Sequence, residues 1–390
     1  MCVVVPSEQR AIAVLVVDPQ LHTPSRIPGG RRSATPQMSA GSLRILKSLD
    51  ERVSVKLLLR VWGPRFEFVV RLLLVTTFLD DSLRVATDFS DHTKQIEQGY
   101  LASLATASPG VVGVIATVVL RIGFLIQLLG SMCLLAHIQP HGAINALIGW
   151  AVLHPVLYAQ LTNVEFLAET LTLIGGLLIL RAHLSERARL DGQKVPLGGG
   201  ELSTLDDSPE AAIARTQLIG RLLLPAVYMY RAIVIMRDFL TGAVDHSQYT
   251  FPMVAMENAV NLVVYIGIVL GCILVAFGLK SRTVALFLAF VNFVFVCYQY
   301  PFFSFAWREG GEWKYDELRM RASMPNVALR NDASPDELEL WQIYDMHRYY
   351  FFLGLSASGS LLLLAQFGPG KISYEADEVL VSNVQLAARD

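Results

Sequence analysis

Residues 111–136 read VVGVIATVVLRIGFLIQLLGSMCLLA, an apolar run broken by a single charge, Arg121, and closed by Gln139-Pro140. A hydrocarbon core about 30 Å thick needs about 20 such residues in a helix. Within lipid each backbone polar group must find its partner inside its own segment, so the run predicts a transmembrane α-helix. Comparable runs recur from Phe66 to Ala86, Ile219 to Met236, Met256 to Gly278, Thr283 to Phe305 and Phe351 to Phe367. The region from Gly142 to Leu180 is too long for one helix. His154-Pro155 and the polar stretch Gln160 to Asn163 interrupt it, which predicts two short spans in a hairpin. The fold class expected is therefore all-α, a polytopic transmembrane helical bundle of about eight spans.

Composition agrees. Hydrophobic residues make up 53% of the 390 positions and charged residues 17%, more apolar surface than one soluble core of this length would bury. The formal net charge of −2 offers no basic field for nucleic acid. Cys2, Cys133, Cys272 and Cys297 show neither paired spacing nor a zinc pattern, and no metal or cofactor is expected. GxSxG, HExxH, phosphate-loop and dinucleotide signatures are absent, so no catalytic residue is expected either.

Residues 1–41, rich in proline and glycine, read as a disordered segment. Within it the apolar stretch Ala11 to Val17 is too short to span, and no small-residue cleavage site follows it. Met38 would serve as a start without loss of a span. Residues 42–65 are basic, with Arg44, Lys47, Arg52, Lys56, Arg60 and Arg65, and predict a short amphipathic helix lying on membrane lipids. A first transmembrane half (66–180) and a second (216–370) flank a polar connection at 181–215. A polar insertion at 307–345 predicts a small helical unit near Ser334-Pro335-Asp336-Glu337, and 371–390 form a tail. Gly267 and Gly271 make a small-xxx-small pair. Lysine and arginine placement puts the connection, the Lys280–Arg282 turn and both termini on the cytosolic side.

Ionisable residues within spans are costly and therefore informative. They are Arg71, Asp80, Asp81, Arg84, Arg121, Glu165, Glu169, Arg221 and Arg231, with Glu257 at a span entrance. Arg71, Asp80, Asp81, Arg84, Arg121, Glu169 and Arg221 are expected to form an intramembrane polar network in which Asp80 and Arg84 are an i,i+4 pair. Two roles stay open for it, a structural ion-pair network and a polar binding cavity or proton relay. Asp88, Asp91, Glu97, Asp238, Asp245 and Tyr249 lie at the predicted lumenal mouths and are the candidate recognition residues.

The stretch Arg71 to Arg84, RLLLVTTFLDDSLR, resembles the first span of the surfeit locus protein 4 family. Five further segments are similar to the family in the same order. They are Gln127 to Gly130, Gly175 to Leu180, Gln217 to Arg221, Val275 to Gly278 with Lys280 and Asn292, and Phe367 to Gly370 with Ser373. Glu169-Thr170 departs from the family's Arg-Asn, the 307–345 insertion is longer, and the terminal Gln385 to Asp390 lacks a dilysine retrieval signal. The resemblance implies a receptor in the endoplasmic reticulum membrane that cycles to the Golgi. It would bind soluble secretory cargo proteins in the lumen, recognise their short N-terminal peptides and engage COPII and COPI coats, without an enzymatic step. A small-molecule or proton-coupled transporter, or a membrane oxidoreductase subunit, is the alternative. Pro155 and Pro225 do not give the matched broken helices of a transporter, and the spans carry no haem-ligating histidine pairs.

Overall fold

A computed structural model describes residues 55–100, 109–192, 208–240, 251–322, 339–368, 370 and 372–373. The chain divides into Met1–Val53, which lies outside these residues with the predicted disordered segment and the first part of the basic one, and Ser54–Asp390. The second unit is built from helices: α1 (Val55–Thr87), α2 (Phe89–Gln98), α3 (Pro109–Leu135), α4 (Pro140–Leu157), α5 (Val164–Leu190), α6 (Pro209–Leu223), α7 (Ala226–Leu240), α8 (Phe251–Phe277) and α9 (Ser281–Gln299). A short antiparallel hairpin follows, β1 (Ala306–Glu309) and β2 (Glu312–Tyr315), with Ala306 opposite Tyr315, and then α10 (Glu317–Ala322) and α11 (Leu340–Phe367).

The helix starts follow from local chemistry. Pro109, Pro140 and Pro209 occupy first-turn positions, where a missing N–H costs nothing. The Asn163 side chain accepts from the Phe166 amide at 3.2 Å to cap α5, and the Ser208 side chain accepts from Ala211 at 3.3 Å to cap α6. Glu339 and Gln342 cap α11 reciprocally. Pro225 ends the α6 run, and the Val227 amide beyond it donates to the Thr172 hydroxyl at 3.0 Å.

Among the described residues three helical stretches are long and apolar enough to cross a membrane by length and composition alone: Gly110–Leu135, Ser281–Ser304 and Leu340–Phe367. They differ in what surrounds them. The apolar window of Leu340–Phe367 is 61% buried inside the protein, against 28% for each of the other two, so α11 is the central helix and α3 and α9 turn outward. On α3 the exposed residues Val111, Val114, Ile115, Val118, Ile122, Leu125, Leu129 and Met132 recur at helical spacing and form one continuous apolar face for lipid. The chain is thus an all-α helical membrane protein.

Close packing rests on small residues, because lipid removes the hydrophobic drive between helices. Along α11 the run Ser356-Ala357-Ser358-Gly359-Ser360 is buried. The Ser356 hydroxyl donates to the Leu74 carbonyl at 2.5 Å, Thr77 to the Phe352 carbonyl at 3.1 Å, and the Asn292 amide to Gly354 O and Ser358 Oγ at 2.8 and 2.7 Å. These bonds tie α1 and α9 to α11. The large core side chains Leu74, Phe78, Leu147, Leu177, Leu180, Leu224 and Leu364 fill the space between α1, α4, α5, α6 and α11.

Four expectations change. The basic segment does not form a separate helix from Val55 onward, because α1 runs unbroken to Thr87. The final helix starts at Leu340 rather than Phe351, and its added turns carry polar residues inward. The insertion begins with a β-hairpin, its Phe305, Met320 and Ile343 forming a small apolar cluster, while Ser334 to Glu337 lie outside the described residues. The Gly267 and Gly271 pair is half used, since Leu288 approaches Gly271 and nothing approaches Gly267.

Candidate functional site: a buried carboxylate-rich cluster

The residues that reach one another around α11 define the site. Arg84 on α1 extends to Asp345 on α11, Nη2 to Oδ2 at 2.5 Å and Nε to the same oxygen at 2.8 Å. Arg348, one turn further along α11, contacts Asp345 Oδ1 at 3.0 Å and Asp80 Oδ1 at 2.9 Å. Asp81 lies 3.9 Å from Arg84 and 3.8 Å from His154 Nε2 of α4. Tyr349 links this group to a second one. Its ring lies under the Arg84 guanidinium at 5.3 Å and its hydroxyl donates to Glu169 Oε2 at 3.1 Å. Glu169 Oε1 is 3.0 Å from Arg231 of α7, which also meets Glu165 at 3.4 Å and lies over the Tyr350 ring.

The charges do not balance. Asp80, Asp81, Asp345, Glu165 and Glu169 are five carboxylates against the three guanidiniums of Arg84, Arg348 and Arg231. Asp80 Oδ2 is buried and has no hydrogen-bond donor. The cluster is still reachable from its end of the bundle, since the Arg84 side chain is 22% exposed while that of Asp80 is 3% exposed. Such a site can accept hydrogen bonds from a cationic group, because open lone pairs and excess negative charge favour it. Just outside the spans, His92 of α2 meets the Tyr158 hydroxyl at 3.0 Å, and burial pushes its imidazole below its ordinary value despite the pull of Asp81. Among the described residues no three His, Cys, Asp or Glu side chains gather as a metal ion would require.

Of the expected network, Asp80, Asp81, Arg84 and Glu169 meet here, but Asp80 and Arg84 each take an α11 partner in place of each other. The other three members lie elsewhere. Arg71 pairs with Glu67 near the middle of α1, about two to four turns before Asp80, where His137 lies 2.8 Å from Arg71 and Arg187 of α5 lies 2.8 Å from Glu67. Arg121 is exposed on α3 with its guanidinium over the Phe89 ring at 5.8 Å. Arg221 is buried beside the loop that follows α11. Among the proposed recognition residues, Asp88 accepts from Thr87 at 2.9 Å, Asp91 pairs with Lys94 at 3.1 Å, and Glu97 lies against Gly113 of α3. The side chain of Asp238, and Asp245 and Tyr249 entirely, lie outside the described residues. Asp345 closed the stretch read as a polar insertion, and Arg348 and Tyr349 fell between it and the last predicted span. Their signal was the i,i+3 pair Asp345–Arg348 inside a helical spacing of Ile343, His347 and Tyr350.

The SURF4 family model matches residues 54–316, most of the described bundle, and ends before α10 and α11. The chain belongs to the SURF4 family. It is 25% identical over 309 residues to the Surfeit locus protein 4 homolog of Drosophila melanogaster, covering 79% of this chain and 87% of that protein. No solved structure matches the chain. The family match ends before α11, so Asp345 and Arg348 lie beyond it although they complete the charge cluster begun by the Arg71 to Arg84 segment.

Proposed function

We propose that this SURF4 family member is an endoplasmic reticulum cargo receptor that binds soluble secretory proteins in the lumen and loads them into COPII vesicles, without catalysing a reaction. The observation that carries this reading is the excess of carboxylates around Asp80, whose free oxygen is buried yet lies near an accessible end of the bundle. A protein N-terminus is an ammonium group with three donors, the complement of such a site. The family relationship supports the receptor role, and the Lys and Arg distribution assigns the Asp80 end to the lumen. Binding must be weak enough to release cargo after export, which corresponds to micromolar affinity, about −8 kcal/mol.

The topology has a direct test. Tags at Met38 and after Asp390 are expected to be digested by protease in sealed microsomes, whereas a tag near Asn331 is protected; protection of either terminus would overturn the assignment of ends. The function is tested by export half-times of several soluble cargoes after depletion, followed by exchange of N-terminal peptides between an affected and an unaffected cargo. Dependence should travel with the peptide and should be lost when its α-amine is acetylated. If all cargoes slow equally, a transporter that alters the lumenal environment becomes the better account.

A further inference from the structure

Arg221 is the buried arginine of the expected network that has no carboxylate beside it among the described residues. Its side chain is 1% exposed, it lies at the opposite end of the bundle from Asp80, and among the described residues its guanidinium donates from Nη2 to the Ile372 carbonyl. Nε and Nη1 are buried and have no partner. A guanidinium presents five N–H donors in a rigid fork, so most of its capacity is unspent in a place that water does not reach. A bundle that buries a cation in this way is completed by an anion.

The surroundings say which kind. After α11 ends, Gly368 and Gly370 take φ of 85° and 81°, conformations that glycine adopts freely, and Ile372 beyond them offers the carbonyl that Arg221 reaches. The Gln217 amide, one turn before Arg221, donates to the Gly368 carbonyl at 2.7 Å, and a Cβ on Gly370 would fall 2.1 Å from Gln217 Oε1. On the other flank the Arg282 guanidinium lies against Gly368, and the neighbouring Ser281 hydroxyl, in the first turn of α9, is fully buried and also without a partner. Lys280 and Arg282 are exposed at the same end. Unsatisfied donors with cations at the rim suit a tetrahedral oxyanion, since Arg pairs with phosphate oxygens through parallel N–H bonds.

We infer that Arg221 anchors a phosphate-binding site beside Gly368, Gly370 and Ile372, and that its occupant is the headgroup phosphate of an anionic phospholipid. This goes beyond cargo recognition and does not depend on it. The charge distribution assigns this end to the cytosolic leaflet, which is rich in anionic lipid and attracts exposed lysine and arginine. Gln217 is the positioning residue, holding the loop through Gly368 and Gly370.

The test uses the full chain in nanodiscs of phosphatidylcholine alone or with about 20% phosphatidic acid, and reads the thermal unfolding midpoint. The wild type should unfold roughly 5 °C higher with phosphatidic acid, as expected for a ligand bound far above its dissociation constant. Arg187→Gln, which removes an exposed cation at the same end, should keep the shift. Arg221→Met should lose it and should equal or exceed the wild type in phosphatidylcholine, because the uncompensated charge is gone. If Arg221→Met does not accumulate, Arg221→Lys carries the test. It keeps the charge without the fork and should need more phosphatidic acid for the same shift. Inorganic phosphate added to the phosphatidylcholine discs separates the sources: a full shift from it alone assigns the site to free phosphate and overturns the lipid assignment. No shift in the wild type with either probe, or an undiminished shift in Arg221→Met, overturns the site.

Discussion

Asp345→Ala is expected to reduce steady-state abundance more than any other single substitution in the carboxylate-rich cluster. Asp345 is the only carboxylate there that meets two guanidiniums closely, Arg84 at 2.5 Å and Arg348 at 3.0 Å, so its loss leaves both under-compensated. Removing one partner of a buried pair costs about 3–5 kcal/mol, whereas replacing the whole pair by apolar groups of similar shape is close to neutral. Asp81→Ala should be milder, since its contacts to Arg84 and His154 are 3.9 and 3.8 Å. The double substitution Arg84→Met with Asp345→Leu should then recover part of what Asp345→Ala loses. Quantitative blotting and thermal stability in detergent provide the measurement. Equal abundance of Asp345→Ala and wild type would mean that the arginines are solvated and that the cluster is not a low-dielectric site.

That residue also shows how far the sequence could be read. Apolar runs such as 111–136 declared their helices because lipid demands uninterrupted apolar length, and the segment Arg71 to Arg84 declared a charged first span. The start of α11 did not declare itself. Between Trp341 and Tyr350 the chain carries Asp345, His347 and Arg348, and mean hydropathy treats such residues as solvent-facing. A helix in the middle of a bundle can turn polar residues toward protein, so its boundary is invisible to a scale calibrated on lipid. The i,i+4 pairing of Asp80 with Arg84 failed for a related reason. Arginine is long enough to reach a neighbouring helix, and which neighbour is at hand depends on register, which one sequence does not encode locally. Glu165, Glu169 and Arg231 were each recognisable as costly intramembrane charges, yet only the packing of α5 against α7 reveals them as partners.

Substitution of Gly175 by alanine is expected to be as damaging as loss of Asp345, through sterics alone. A Cβ at this position would lie 2.6 Å from the Leu224 amide nitrogen, 2.9 Å from the Gly220 carbonyl oxygen and 3.0 Å from the Leu223 carbonyl carbon. All three are backbone atoms, so no rotamer change relieves the clash and α6 must move away from α5. The displacement would spread. One turn away Thr172 holds the Val227 amide freed by the break at Pro225, and a further turn along, Glu169 holds Arg231. Loosening this contact therefore opens the cluster as well as the apolar packing, and a cost of about 3 kcal/mol or more follows from overpacking with the polar bonds lost beside it. The adjacent Gly176 supplies the control. Its Cβ would meet the Ser360 hydroxyl at 2.1 Å, a side-chain obstacle that Ser360→Gly removes, so Gly176→Ala with Ser360→Gly should accumulate while Gly175→Ala finds no such partner. Gly267→Ala, with nothing within 4 Å, should be neutral or slightly stabilising because alanine favours the helix. Abundance, protease resistance and cargo export measured across these variants would rank them; a Gly175→Ala protein indistinguishable from Gly267→Ala would show that α5 and α6 are not in backbone contact and that the cluster does not depend on their approach.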